Sequence, residues 1–157
     1  VTVVPAISGV PRVLKAVRAL LLADAELAAR LAKTPPAFGT GPAIYTEGYV
    51  PADARTDYLT IGPFTEVDDS AMGDGAKWGS VLTMQIKLVT QSRDIGYSLM
   101  TVDRLTALLH GVRLIVDDYT AGSSVLDSSI AAFQELLAGT QYTHYPTIWR
   151  VRVHQPT

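Results

Sequence analysis

The chain has no cysteine among its 157 residues. That excludes disulfides, thiolate metal sites and a thiol nucleophile, and it removes redox logic as a guide to compartment. It also lacks a charge excess: 13 basic residues stand against 15 acidic ones, a net of −2, so no global field favours duplex DNA or an anionic membrane. Long apolar runs are missing too. The densest, Ala19 to Ala23, is flanked by Lys15, Arg18 and Asp24 and is far shorter than the about 20 residues a bilayer span needs. The opening VTVVPAISGV carries no cationic leader and is expected to be a short arm, residues 1–10, ahead of the first helix. At this length one domain, 1–157, is expected, large enough to bury a core without staples.

Recognisable chemistry is also scarce. His110, His144 and His154 have none of the close pairings that make a zinc site legible. The acidic group Glu66, Asp68, Asp69 and Asp74 does not follow calcium-loop spacing, and a solvated acidic loop accounts for it. Gly73 to Gly79 reads GDGAKWG, without dinucleotide-fingerprint spacing or the Lys-Ser/Thr ending of a phosphate loop. Ser80, Ser123 and Ser124 lack the glycines of a nucleophile elbow. Asp53 with Asp57, and Asp117 with Asp118, fall in turns, where aspartate is favoured for local hydrogen bonding. No catalytic residue, metal or cofactor is expected.

What is present is periodicity. From Val81 to Thr90 the chain alternates, with Leu82, Met84, Ile86 and Leu88 on one side and Thr83, Gln85 and Lys87 on the other, the mark of a half-buried strand. Next, Ile95, Leu99, Val102, Leu105 and Leu109 recur at helical spacing, with Asp94 as N-cap and Gly111 as stop. A first amphipathic helix buries Val10, Val13, Leu14, Val17, Leu20 and Leu21 and turns Arg12, Lys15 and Arg18 outward; Asp24 is expected to interrupt it and cap a short second helix, 25–32. Thr34-Pro35-Pro36 ends helix formation.

Two β-prone runs, 43–49 and 58–62, are expected to form a hairpin across Pro51 to Thr56. Residues 65–78 are expected to be a long mobile loop. A short β-prone run, 112–116, precedes a polar turn, 117–124. Residues 125–137 score as helix by composition but stand where the last strand needs a partner, and are read as strand. That last strand, 147–154, points Trp149, Val151 and Val153 one way and Ile148, Arg150, Arg152 and His154 the other.

This order of elements resembles the tail terminator, or tail-completion, proteins of long-tailed bacteriophages and related phage-like particles. The likeness rests on VLKAVRALLLADAELAARL from Val13 and AIYTEGYVPADARTDYLTIG from Ala43, where Ile44-Tyr45, Pro51 and Tyr58 through Ile61-Gly62 fall as in the family. It continues through Val89-Thr90-Gln91-Ser92, Gly96, Leu108-Leu109 and the closing IWRVRV, with Ser129 to Gly139 richer in alanine and leucine than a family strand.

The resemblance implies an α+β fold: a mixed, mostly antiparallel sheet with two main helices packed on one face. It also implies a virion protein, assembled in the host cytoplasm and placed at the tail-neck junction, whose homo-hexameric ring caps the head-proximal end of the tail tube and ends its polymerisation. Its partners would be further copies of itself, the tail tube protein and a head-completion or stopper protein of the neck, with DNA passing through unread and no membrane involved. The interface residues expected are Asp68, Asp69, Asp74 and Lys77 of the loop, Trp78 as an apolar anchor of a type enriched at interfaces, and Arg150 and Arg152. The alternatives are another neck or tail-tube subunit, or a small α+β ligand-binding domain or enzyme with a dispersed site.

Overall fold

The computed structural model describes residues 9–68, 79–117 and 119–154. Helix α1 (Val10–Leu22) is followed by α2 (Ala25–Arg30), a 3-10 turn (Pro36–Phe38) and strands β1 (Ile44–Thr46), β2 (Tyr58–Asp68) and β3 (Gly79–Thr90). Then come α3 (Ile95–Leu109), β4 (Thr120–Ser129), β5 (Phe133–Leu137) and β6 (Thr140–His154). The strands form one mixed sheet in the order β1-β2-β3-β6-β4, with β5 also on β6. All pairs are antiparallel except β1 with β2.

The expected strand alternation sets the layers. Leu82, Met84, Ile86 and Leu88 of β3 and Trp149, Val151 and Val153 of β6 are fully buried on one face, beside Leu59 and Ile61 of β2. Val13, Val17 and Leu21 of α1, Leu27 of α2 and Leu105 and Leu109 of α3 close over that face in a single core. The fold is therefore α+β with its helices on one side of the sheet, and no helix among the described residues covers the second side. The break after α1 is built as expected: Asp24 is the N-cap of α2 and accepts from the Leu27 amide at 2.7 Å.

Three expectations change, besides the loop expected over 65–78, whose residues 65–68 extend β2 in register with 80–83 of β3 while 69–78 lie outside the described residues. The 43–49 and 58–62 runs do not form a hairpin: Ile44 aligns with Leu59 and Thr46 with Ile61 in parallel. The connection 47–57 is long enough to carry the chain back before β2 begins, which a short turn cannot do. The starts of both strands are tied to the segment after α2, since the Ala32 amide donates to Asp57 O and the Ala43 amide to Ala32 O.

Helix α3 is also rotated from its apolar stripe. Ser98, Thr101, Leu105 and Leu109 are buried, whereas Ile95 is 62% and Leu99 47% exposed. Period alone sees only the sheet; α3 packs against α2 as well, with Arg104 bonded to Asp24 and Tyr97 under the Arg30 guanidinium at 5.3 Å. The buried sector lies between those two neighbours, so Ile95 and Leu99 face away from both.

The third change lies at 112–124. Residues 112–116 form no strand beyond a bridge from Arg113 to Ser123, and the polar stretch taken for a turn already belongs to β4 from Thr120. Serines, glycine and threonine carry no apolar period, so only pairing with the end of β6 marks this strand.

The strand reading of 125–137 holds, interrupted at 130–132, despite its alanine and leucine. Pairing with β6 outweighs helix propensity, and Ala138 and Gly139, at φ of 49° and 81°, supply the positive-φ pair of a two-residue type I′ hairpin turn.

Candidate assembly surfaces

The uncovered sheet face carries the first candidate surface. Arg150 and Arg152 alternate with buried Trp149, Val151 and Val153 and so both project from this face, aligned with Thr83 and Val81 of β3. Arg150 Nη2 lies 2.9 Å from Asp127 Oδ1, which ties β6 to β4 across the exposed side. Asp69, Asp74, Lys77 and Trp78 lie outside the described residues, and Asp68 is described only through its backbone, which pairs with Ser80. Ser80 in turn aligns with Val153, so the stems of the 69–78 segment and Arg152 share one end of the sheet. Glu66 fastens that end by accepting from Ser80 Oγ at 2.7 Å and from the Gly9 amide at 3.1 Å.

The opposite end carries the β5–β6 hairpin, which is absent from the expected interface residues. All five residues of β5 are exposed, with Leu136 at 71% and Ile130, Phe133 and Leu137 also open to solvent. The hairpin is nonetheless stiff: Phe133 stacks on His144 with ring centroids 4.6 Å apart, His144 Nε2 lies 3.0 Å from Glu135 Oε2, and Gln141 Nε2 donates to Gln134 Oε1 at 2.6 Å. Burial, with help from Lys87, holds the His144 pKa below its ordinary value, and Glu135 opposes that only in part. The available sequence signal was FQELL itself, a run with apolar residues on both faces of a strand, one more face than a single core can cover.

A groove of about 400 Å³ forms the third surface. Ala16, Ala19 and Leu20 of α1 make one wall and residues 112–115 the other, with Arg12, Lys15, Arg113 and Asp117 at the rim. In the second wall Leu114 and Val116 point into the core, which leaves Ile115 91% exposed between them. Lys15 Nζ sits 2.6 Å from Asp117 Oδ2, and this ammonium holds the Asp117 carboxyl below the usual carboxylate range.

None of these surfaces gathers a set of catalytic groups. His110 Nδ1 accepts from the Leu126 amide at 3.1 Å, His144 is stacked in the hairpin and His154 ends β6, so the three imidazoles stand apart. Among the described residues no group of three or more His, Asp or Glu side chains converges as metal ligands. Among the described residues no helix is long and apolar enough to cross a membrane.

The helix layer is pinned by Asp24, which accepts from Arg104 Nε at 3.1 Å and from Arg104 Nη2 while capping α2. Arg104, then the Leu27 amide, lower the Asp24 pKa. Its contribution is present above the unfolded carboxyl value, about 3.9, and is lost as pH falls below it. Asp24→Ala is expected to cost about 1 kcal/mol at pH 7, the worth of a helix cap. Urea titrations at pH 7 and pH 3 should show the gap from the parent protein narrowing at the lower pH; a gap that widens there would contradict this sign.

The sequence matches no protein-family model and no curated protein. Its fold does have a counterpart among solved structures. A chain of the virion of a native gene transfer agent (GTA) particle superposes with a TM-score of 0.70 at 21% sequence identity, covering 95% of this chain and 99% of that one. The likeness is one of fold over most of both chains.

Proposed function

We propose that this chain is a non-enzymatic structural protein of a phage-like virion, acting as its tail terminator. The observation that carries the reading is the likeness to a chain of the gene transfer agent virion, which spans 95% of this chain and 99% of that one. The order of elements from Val13 to Val153 supports the finer role, in which copies close into a six-membered ring on the head-proximal end of the tail tube. The ring ends tube growth and offers its other side to the neck's stopper protein, while DNA passes through the centre. Arg150 and Arg152, with the segment from Asp68 to Trp78, are assigned to the ring's contacts. A head-to-tail ring needs two different patches per subunit, and the molecule presents apolar surface at both ends of β6.

Particles assembled without this chain are expected to have tails of unregulated length and few attached heads when imaged by electron microscopy. Tails of normal length on filled heads would overturn the terminator role. Native mass spectrometry of the purified protein separates the neighbouring roles: a closed ring is expected, whereas open tubes would identify a tail-tube subunit.

A further inference from the structure

We infer that the β5–β6 hairpin of one copy seats in the groove between α1 and residues 112–115 of the next. The inference deepens the proposed ring and rests on the chain assembling with itself. Three observations lead to it.

The first is placement. The hairpin turn lies at the Thr140 end of β6. The groove lies at the other end: Gly9, just before α1, approaches Val153, and Arg12 at the rim stands 6.0 Å over the ring of Tyr119, next to the start of β4 at His154. From Thr140 to Val151 a strand spans about 35 Å. A stiff hairpin therefore cannot fill its own groove, while the two surfaces joined between molecules give a heterologous, head-to-tail contact of the kind that closes rings.

The second is chemistry. Each surface holds an apolar side chain that its own fold leaves in water, Leu136 on the hairpin and Ile115 on the groove wall. Between residues 128 and 143 the single charged side chain is Glu135, and among the described residues the rim sets Arg12, Lys15 and Arg113 beside one carboxylate, Asp117. An acidic apolar tip thus meets a basic-rimmed apolar groove.

The third is preorganisation. The type I′ turn, the Phe133–His144 stack and the Gln141–Gln134 bond hold the hairpin in shape before contact, which reduces the ordering cost of docking.

The absence of native cysteine makes a direct test available. The double variant Ile115→Cys/Leu136→Cys, oxidised at concentrations where the parent protein is oligomeric, should give a ladder of covalent multimers. Mixed single variants should stop at dimers. Leu136→Asp should keep the parent's circular dichroism, since the side chain is exposed, and should weaken self-association by about 30-fold or more.

Cross-linking by Leu136→Cys alone as complete as that of the double variant, a disulfide within one chain, or no multimers at all would each overturn the contact. Incorporation into particles is scored separately. Particles that contain the double variant without cross-links reject this contact and leave the terminator reading intact, whereas cross-linked multimers that never enter particles uphold the contact and reject the reading.

Discussion

Trp149→Ala should lower stability by about 3–5 kcal/mol, the range for removing a large aromatic side chain from a packed core. Trp149 is fully buried on β6, the strand that pairs with β3, β4 and β5, and it faces Met84 on β3 and Leu126 on β4. Its indole Nε1 donates to Thr147 Oγ1 at 2.8 Å, and that hydroxyl donates to Ile86 O at 2.8 Å. Truncation therefore opens a cavity under α1 and α3 and removes one link of a buried polar chain. Against a typical total stability of about 5–15 kcal/mol the loss is large, and the thermal midpoint should fall by roughly 6–20 °C. Arg150→Ala, one residue along but on the uncovered face, should cost less than about 1 kcal/mol, because its partner Asp127 is a surface group. Thermal unfolding of both variants checks the contrast; similar midpoints would mean that the helix-covered face is not the main core.

Gly79→Ala should cost about 1–3 kcal/mol, as overpacking of a well-filled site does, although it adds only a methyl group. A Cβ on Gly79 would lie 2.3 Å from Val153 O and 3.2 Å from His154 Cα, and neither backbone group can move without parting β3 from β6. The cause is proximity, not an unusual backbone angle: Gly79 sits in the ladder opposite His154. The damage should be local. Hydrogen exchange should quicken first at Ser80 to Leu82 and Val151 to Val153, while Ile86 and the amides around Thr147 stay protected. Unchanged protection at the Gly79 end would show that the strands separate there at no cost. Because this end also carries the stems of the 69–78 segment, the same variant should disturb any contact made from that side of the molecule.

Gly79 also shows what a sequence leaves out. Read along the chain, it is the last of several glycines punctuating an acidic loop; in the fold it is a point where two backbones touch. The segments legible in advance share one trait, a strong period over many residues. The alternation from Val81 to Thr90 and from Thr147 to His154 places Leu82, Met84, Trp149 and Val151 in the core, and the helical spacing from Val10 to Leu21 does the same for Val13 and Val17. Asp24 announces its own break, since a capping carboxylate acts within three residues of itself.

The candidate surfaces were less legible. Arg150 and Arg152 take the outward places that alternation assigns them, but the groove joins α1 to residues 112–115, far apart in the chain, and the local β5–β6 hairpin is marked as a surface only by its exposure in the fold.

Local periodicity and capping chemistry therefore determined the helices α1 to α3, the strands β3 and β6, the inward faces of β3, β6 and α1, and the α+β class. Tertiary structure alone decided the parallel pairing of β1 with β2, the rotation of α3 toward α2, the start of β4 in a run of serines and glycine, and the exposure of Leu136 and Ile115 at opposite ends of one long strand. The division has a physical reason. A side chain's period reports the one surface its element covers, whereas direction of pairing, a second neighbour and a missing neighbour arise from contacts between segments the chain brings together only on folding.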